Sequence, residues 1–224
     1  MSERWAETDD YIARHLLGDD PALAAALAAN KAGGLPAIDV SATQGKMLHL
    51  FARMMGARRI LEVGTLGGYS TIWLARALPG DGRLVTLEID SHHAEVARAN
   101  LAYAGIADRC EVRVGPAVET LAAMQAEGEG PFDFVFIDAD KPGNVDYVRA
   151  ALAMSRPGTA IIVDNVVREG GILDPESRDA SVQGTQRLFD YLATEPRLDA
   201  TAIQTVGAKK WDGFVLALVR QGPP

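Results

Sequence analysis

From Arg59 onward, short β-branched runs alternate with helix-length segments, and this rhythm leaves the chain few folds to adopt. The runs fall at 59–63, 83–89, 110–114, 133–138, 159–164, 198–204 and 213–219. Between the first six, helical patterns occupy 68–78, 91–104, 116–127, 142–155 and 178–194. Strands of continuous apolar character joined by helices build a parallel sheet covered on both faces. The last connection breaks the pattern. Only about eight residues, Thr205 to Asp212, separate the final two runs, and a parallel crossover needs a dozen or more. The seventh strand is therefore expected to enter antiparallel, as a hairpin with the sixth. A dinucleotide-binding sheet built from two βαβαβ halves has no such hairpin.

Residues 1–58 precede the first strand and predict helices near 6–17, 21–31 and 42–55. Met47, Leu48, Phe51, Met54 and Met55 follow i, i+3/i+4 spacing and should pack against the sheet. At 224 residues the expectation is one domain, a helical cap over 1–58 and an α/β core over 59–224. The lone Cys110 excludes an intrachain disulfide framework and a cysteine zinc site. With 30 Asp+Glu against 22 Lys+Arg, affinity by neutralising phosphates is disfavoured, and nucleic acid with it. The alanine-rich run Ala22–Ala29 is far short of the roughly 20 residues that span a bilayer. The acidic start lacks the apolar stretch of a signal peptide, so the cytoplasm is the expected compartment.

The first strand runs into Leu61-Glu62-Val63-Gly64-Thr65-Leu66-Gly67-Gly68-Tyr69-Ser70 and then a helix. Glycines at such a junction let the chain turn tightly and let a ligand approach the backbone at a helix N-terminus. A dinucleotide fingerprint needs glycine where Glu62 stands. A carboxylate there opposes a pyrophosphate and suits a ligand of ammonium or sulfonium character, such as S-adenosylmethionine. The second strand ends at Glu88-Ile89-Asp90. An acid at the position of Glu88 accepts hydrogen bonds from both ribose hydroxyls of an adenosine, while Asp90 or Ser91 caps the next helix.

The fourth strand closes as Phe136-Ile137-Asp138-Ala139-Asp140-Lys141, the fifth as Val163-Asp164-Asn165. Ligands of open α/β sheets bind at the carboxyl ends of the strands, so these groups face the same crevice as the glycine loop. Two carboxylates and an amide oxygen, without His or Cys, describe a hard-cation site for Mg²⁺, with Ca²⁺ or Mn²⁺ as alternatives. One Asp at a strand end more often caps a helix; three oxygen ligands beside a cofactor loop favour the cation. Lys141, inside a cleft and beside a cation, can take the proton of an acceptor hydroxyl. The oxygen then attacks the sulfonium methyl in line.

EVGTLGGYS, TLEID, VGPAVETL, FDFVFIDADK, IIVDN and the late WDG together resemble the cation-dependent class I O-methyltransferases of the caffeoyl-CoA and catechol type, in a bacterial-type member. The resemblance covers roughly residues 35–220. It implies a Rossmann-like, doubly wound seven-stranded α/β sheet whose last strand is antiparallel, in agreement with the hairpin. It implies S-adenosylmethionine, a divalent cation, methylation of one hydroxyl of a small aromatic diol, and a homodimer. Carried over by position, Asp138, Asp164 and Asn165 would bind the cation, and Lys141 would be the catalytic lysine with Asp138 beside it. Glu62, Gly64, Thr65, Ser70, Glu88, Ala117 and Asp138 would contact the cofactor, as would Val40 through its backbone. Asp140 is expected near the substrate. Where the family has a compact Gly-Asp-Gly turn, this chain has Gly207-Ala208-Lys209-Lys210-Trp211-Asp212-Gly213, with Asp212 as the substrate-side equivalent. Trp211 either covers a flat aromatic substrate or packs the hairpin. The stretch 168–178 differs from the plant enzymes and argues against caffeoyl-CoA itself.

Three other readings compete. Methylation of a hydroxylated tRNA base would need a basic face, for which Arg168, Lys209 and Lys210 are the seeds. A non-catalytic S-adenosylmethionine-binding protein would have lost the cation triad, which here is complete. A nicotinamide-dependent dehydrogenase is disfavoured by Glu62 and by the hairpin. His15, His49, His92 and His93 share no metal spacing with the acids, and Cys110 reads as a small core residue.

Overall fold

Seven strands form one sheet in the order β3-β2-β1-β4-β5-β7-β6 in the computed structural model, which describes residues 2–222. The strands are β1 (Arg59–Val63), β2 (Arg83–Glu88), β3 (Cys110–Val114), β4 (Phe132–Ile137), β5 (Ser155–Asp164), β6 (Leu198–Gly207) and β7 (Lys210–Val219). The first five are parallel, and β7 runs antiparallel between β5 and β6. Three helices precede the sheet: α1 (Ser2–Leu16), α2 (Pro21–Ala32) and α3 (Ala42–Met54). The crossovers carry α4 (Tyr69–Ala75), α5 (Ser91–Tyr103), α6 (Ala117–Ala126), α7 (Asn144–Ala153) and α8 (Ala180–Thr194).

Alternation along the strands divides the core between the two faces of the sheet. Leu61, Val63, Val135, Ile137, Ile161 and Val163 pack with residues of α6, α7 and α8, among them Leu121, Val148 and Leu188. Ile60, Phe134, Phe136 and Ile162 face α2 to α5 through Leu23, Leu48, Ile72 and Leu101. Each fully buried side chain of this size contributes about 1.5–3 kcal/mol. Glu62 shares the second face with Ile60, so its position in β1 commits a carboxylate to an apolar layer.

The structure differs from the sequence reading at three places. The last hairpin is tighter than the expected eight-residue connection: Gly207 pairs with Lys210, leaving a two-residue turn at Ala208-Lys209. Thr205, Val206 and Trp211 favour extended backbone, and their ladder runs through the stretch that read as a loop as far as Gly207 and Lys210. Strand β5 begins at Ser155 and passes through Pro157-Gly158, with a register shift between Phe132 and Phe134. Finally, Met54 and Met55 are exposed. The packed face of α3 is Gly45, Leu48 and Ala52, and the helix ends before the stripe returns to the sheet.

The N-terminal helices reach the carboxyl ends of the strands through polar contacts. Asn30 of α2 donates to Asp39 at 2.7 Å, and Asn100 of α5 donates to Asn30 at 3.0 Å and to the carbonyl of Gly67 at 2.9 Å. At the far side, Asp9 of α1 accepts from the Ala208 amide at 2.8 Å, and Lys209 reaches the Ala37 carbonyl at 3.3 Å. Among the described residues, no helix is long and apolar enough to cross a membrane.

Candidate active site

A cleft of about 590 Å³ opens at the carboxyl ends of the parallel strands, between the loop after β1 and the segment 36–40. Its floor is made by backbones in close approach. Gly64, at φ 101, lies so near the Asp138 carbonyl that a side chain there would collide with it. Only glycine combines that conformation with that proximity. Leu66, at φ 50, is held in the left-handed region. Glu88 secures it: Oε2 accepts from the amides of Thr65 at 3.2 Å and Leu66 at 2.7 Å, and Oε1 from Asp90 at 3.0 Å. Asp90 caps α5 through the amides of His92 and His93.

Glu62 lies beneath this loop, with no exposed surface and outside the cleft lining. Three hydroxyls donate to it: Ser70 at 2.6 Å, Thr71 at 2.5 Å and Thr86 at 2.7 Å. Burial raises its pKa to about 7, against the lowering effect of those hydroxyls. Its route to the cleft runs through Ser70, which does line it.

The opposite wall is set by strand register. Ile137 of β4 pairs with Val163 of β5, so Asp138 and Asp164 follow at one level on neighbouring strands. Asp164 is 3 % exposed. Burial first, then the charge of Asp138, push its carboxyl above the usual range. Its oxygens accept from the Asn165 amide at 2.8 Å and from Gln44 of α3 at 2.6 Å. Asn165 stands at φ 57 and lines the cleft. Lys141 is buried, with Nζ 2.9 Å from Asp138 Oδ1. Asp140 accepts from the Gly143 amide at 3.1 Å and from the Tyr147 hydroxyl, whose own pKa rises through burial and this contact.

This donor set suits a hard cation. The buried carboxylate of Asp164 and the cleft-lining carboxylate of Asp138 have one lysine and one amide to offset them, and an uncompensated buried charge is costly. The set comprises two carboxylates and an amide oxygen; among the described residues no group of three or more His, Cys, Asp and Glu side chains forms a metal site.

A family model described as O-methyltransferase matches residues 19–219. The chain belongs to the O-methyltransferase family. It is 58 % identical to a catechol O-methyltransferase of Mycobacterium tuberculosis over 214 residues, 96 % of each chain. An O-methyltransferase from Bacillus cereus, solved in complex with SAH, is 53 % identical with a TM-score of 0.97, covering 98 % of this chain and 100 % of that one. An O-methyltransferase from Streptomyces achromogenes, solved with SAM, is 51 % identical with a TM-score of 0.95, covering 98 % and 99 %.

In this O-methyltransferase the cleft gathers Val40, Gly64, Thr65, Ser70, Glu88, Ala117, Asp138, Asp140, Lys141 and Asn165 of the residues singled out from sequence. It does not gather Glu62, Asp164, Trp211 or Asp212 into its lining. Asp164 lies just behind Asn165. Asp212 turns its carboxylate to the amides of Val167, Arg168 and Gly213 at 2.9, 3.1 and 3.0 Å. Trp211 donates to Gln204 at 3.0 Å and packs against Gly170. The basic seeds disperse: Arg168 lines the cleft, Lys209 reaches Ala37, and Lys210 pairs with Glu169. Burial pushes the Cys110 thiol up to about 12, which leaves it a poor nucleophile.

Gln44, Tyr147 and His93 were not singled out as site residues by the sequence. Gln44 touches a residue 120 positions away, a contact without local signature. His93 lies 3.6 Å from Glu88, and its place in the first turn of α5 could have signalled this. Tyr147, seven residues after Asp140, was likewise within reach of helical spacing.

Proposed function

We propose that the enzyme transfers the methyl group of S-adenosylmethionine to one hydroxyl of a small catechol-like aromatic diol, with a divalent cation bound at Asp138, Asp164 and Asn165. The observation that carries this reading is Lys141 seated on Asp138 at 2.9 Å, inside a cleft shared with the glycine loop and Glu88. Mg²⁺, with Ca²⁺ or Mn²⁺ as alternatives, would supply Lewis acidity toward the acceptor oxygens.

The chain's own groups divide the remaining work. Gly64 admits the cofactor to the backbone, and Val40, Thr65, Ser70 and Ala117 line its path. Glu88 holds the glycine loop and offers its free lone pairs to the ribose. Glu62 acts through Ser70 rather than by direct contact. Lys141 Nζ accepts the proton of the attacked hydroxyl, and the ion pair with Asp138 is the state after that acceptance. The acceptor oxygen attacks the methyl carbon in line while the methyl–sulfur bond breaks, its electron pair leaving on a neutral thioether. Asp140, steadied by Tyr147, faces the acceptor. Assembly as a homodimer belongs to the same proposal. The exposed strand β6 and the apolar Tyr11, Leu16, Ile203 and Val206 on the outer surface support it, and sedimentation equilibrium tests it.

The test is labelled-methyl transfer to catechol, flavonoid and hydroxycinnamate acceptors, with Mg²⁺ and after exhaustive chelation. Chelation and Asp138→Ala should both abolish turnover. Lys141→Ala should lower kcat about 10²–10⁴-fold and weaken cofactor binding far less. Full activity without metal would refute the cation, an unchanged kcat would remove Lys141 as base, and label in total tRNA alone would replace the acceptor class.

A further inference from the structure

Beyond Asn165 the chain turns against its own preferences. Arg168 and Glu169 both adopt left-handed backbone, φ 55 and 52, and Gly170 continues at φ 83. Consecutive non-glycine residues in that region are strained and persist only where their surroundings impose them. Strand β7 imposes them here. The Asp212 carboxylate takes the amides of Val167 and Arg168, and a Cβ on Gly170 would already press on the Trp211 ring at 3.0 Å.

The clamped turn presents the side chain of Arg168. It lines the cleft alongside Asp138, Lys141 and Asn165, yet its Nε is buried without a hydrogen-bond partner in the protein. Among the described residues no ion pair includes its guanidinium. Its neighbour Glu169 turns instead to Lys210, at 3.4 Å. A permanently charged, planar donor with a buried and unpaired N–H is suited to a planar anion. Its place in the sheet says which molecule carries that anion. The glycine loop and Glu88 close β1 and β2, whereas Arg168 follows β5, beyond Asp138, at the other end of the cleft.

We infer that Arg168 is a specificity residue that binds a carboxylate on the aromatic acceptor, so that the preferred substrates are dihydroxyaromatic acids rather than neutral catechols. This rests on the acceptor class proposed above. Asp212 and Trp211 then act as positioning residues for Arg168.

The test compares wild type, Arg168→Gln and Arg168→Lys on 3,4-dihydroxybenzoate and on catechol, with S-adenosylmethionine and Mg²⁺. Calorimetry measures the affinity of each protein for both diols and for S-adenosylmethionine. In the wild type kcat/KM should favour the acid by at least about tenfold, the worth of one charge-assisted hydrogen bond. The Gln variant should erase this ratio and the Lys variant should restore part of it. A ratio that persists in the Gln variant overturns the inference. So does weakened S-adenosylmethionine binding with an unchanged ratio, which would give the guanidinium to the cofactor's own carboxylate. Should no protein methylate either diol, the acceptor class falls by itself. Arginine-dependent binding of the benzoate would then still support the anion site, and arginine-independent binding would overturn it.

Discussion

Glu62 sits in an apolar layer with three hydroxyl donors for company, and its acidity reflects the mismatch. Its pKa stands at about 7, raised by burial from an ordinary 4.5. The folded chain therefore holds this proton more tightly than the unfolded chain does. The associated stability is complete below pH 4.5 and is lost as pH rises through 7. Glu62→Gln keeps the shape without the charge. Its melting temperature relative to wild type should climb between pH 5 and pH 8, by an equivalent on the order of 3 kcal/mol; a difference independent of pH would sink the idea. At this scale the sequence was readable where chemistry is written into local words. FIDADK and VDN marked the residues that share the cleft wall, and the glycines marked the loop beside them. It was unreadable where a role depends on what lies opposite. The type and spacing of Glu62 marked it as a ligand contact, and only the packing of α4 shows hydroxyls occupying its oxygens. Gln44 acquires meaning from its contact with Asp164, and the placing of Arg168 from the hold of Asp212 on its backbone amide, both distant in sequence.

Helix α8 bears directly on Lys141. A Cβ on Gly184 would collide with the Lys141 carbonyl, so the helix and the lysine share one close approach that only a residue without a side chain permits. Gly184→Ala should move the lysine and lower kcat by about tenfold to a hundredfold, the penalty of roughly an ångström of misplacement. Cofactor affinity measured by calorimetry should change much less. Steady-state kinetics indistinguishable from wild type would show that α8 can yield without disturbing Lys141. Elements were the most legible level of this chain, because long periodic runs and crossover lengths leave little choice. The expected antiparallel seventh strand is present. The turn is shorter than the sequence suggests because the connection from Thr205 to Asp212 carries few β-branched residues, whereas the cross-strand pairing of Val206 with Trp211 extends the ladder to Gly207 and Lys210.

The molecule as a whole is closed by its two ends. Asp9 near the start holds the Ala208 amide near the finish, and α2 is tied to the glycine loop through Asn30 and Asn100. The contact between Asp9 and Ala208 joins positions 199 residues apart, which no local pattern could announce. The position of β7 extends this dependence. Although last in sequence, it is an interior strand with neighbours on both sides. Ending the chain at Lys209 should abolish the cooperative melt seen by circular dichroism, while ending it at Arg220 should preserve it. A cooperative melt near the wild-type temperature for the shorter chain would contradict this. During synthesis the nascent chain thus carries β6 without a backbone partner and β5 with a bare edge beside Asp164 until β7 is free to pair. Contacts of such long sequence separation form late and slowly. The wall that holds Asp164 and Arg168 is therefore completed only when β7 pairs along β5, and the cleft takes its shape at the last step of sheet assembly.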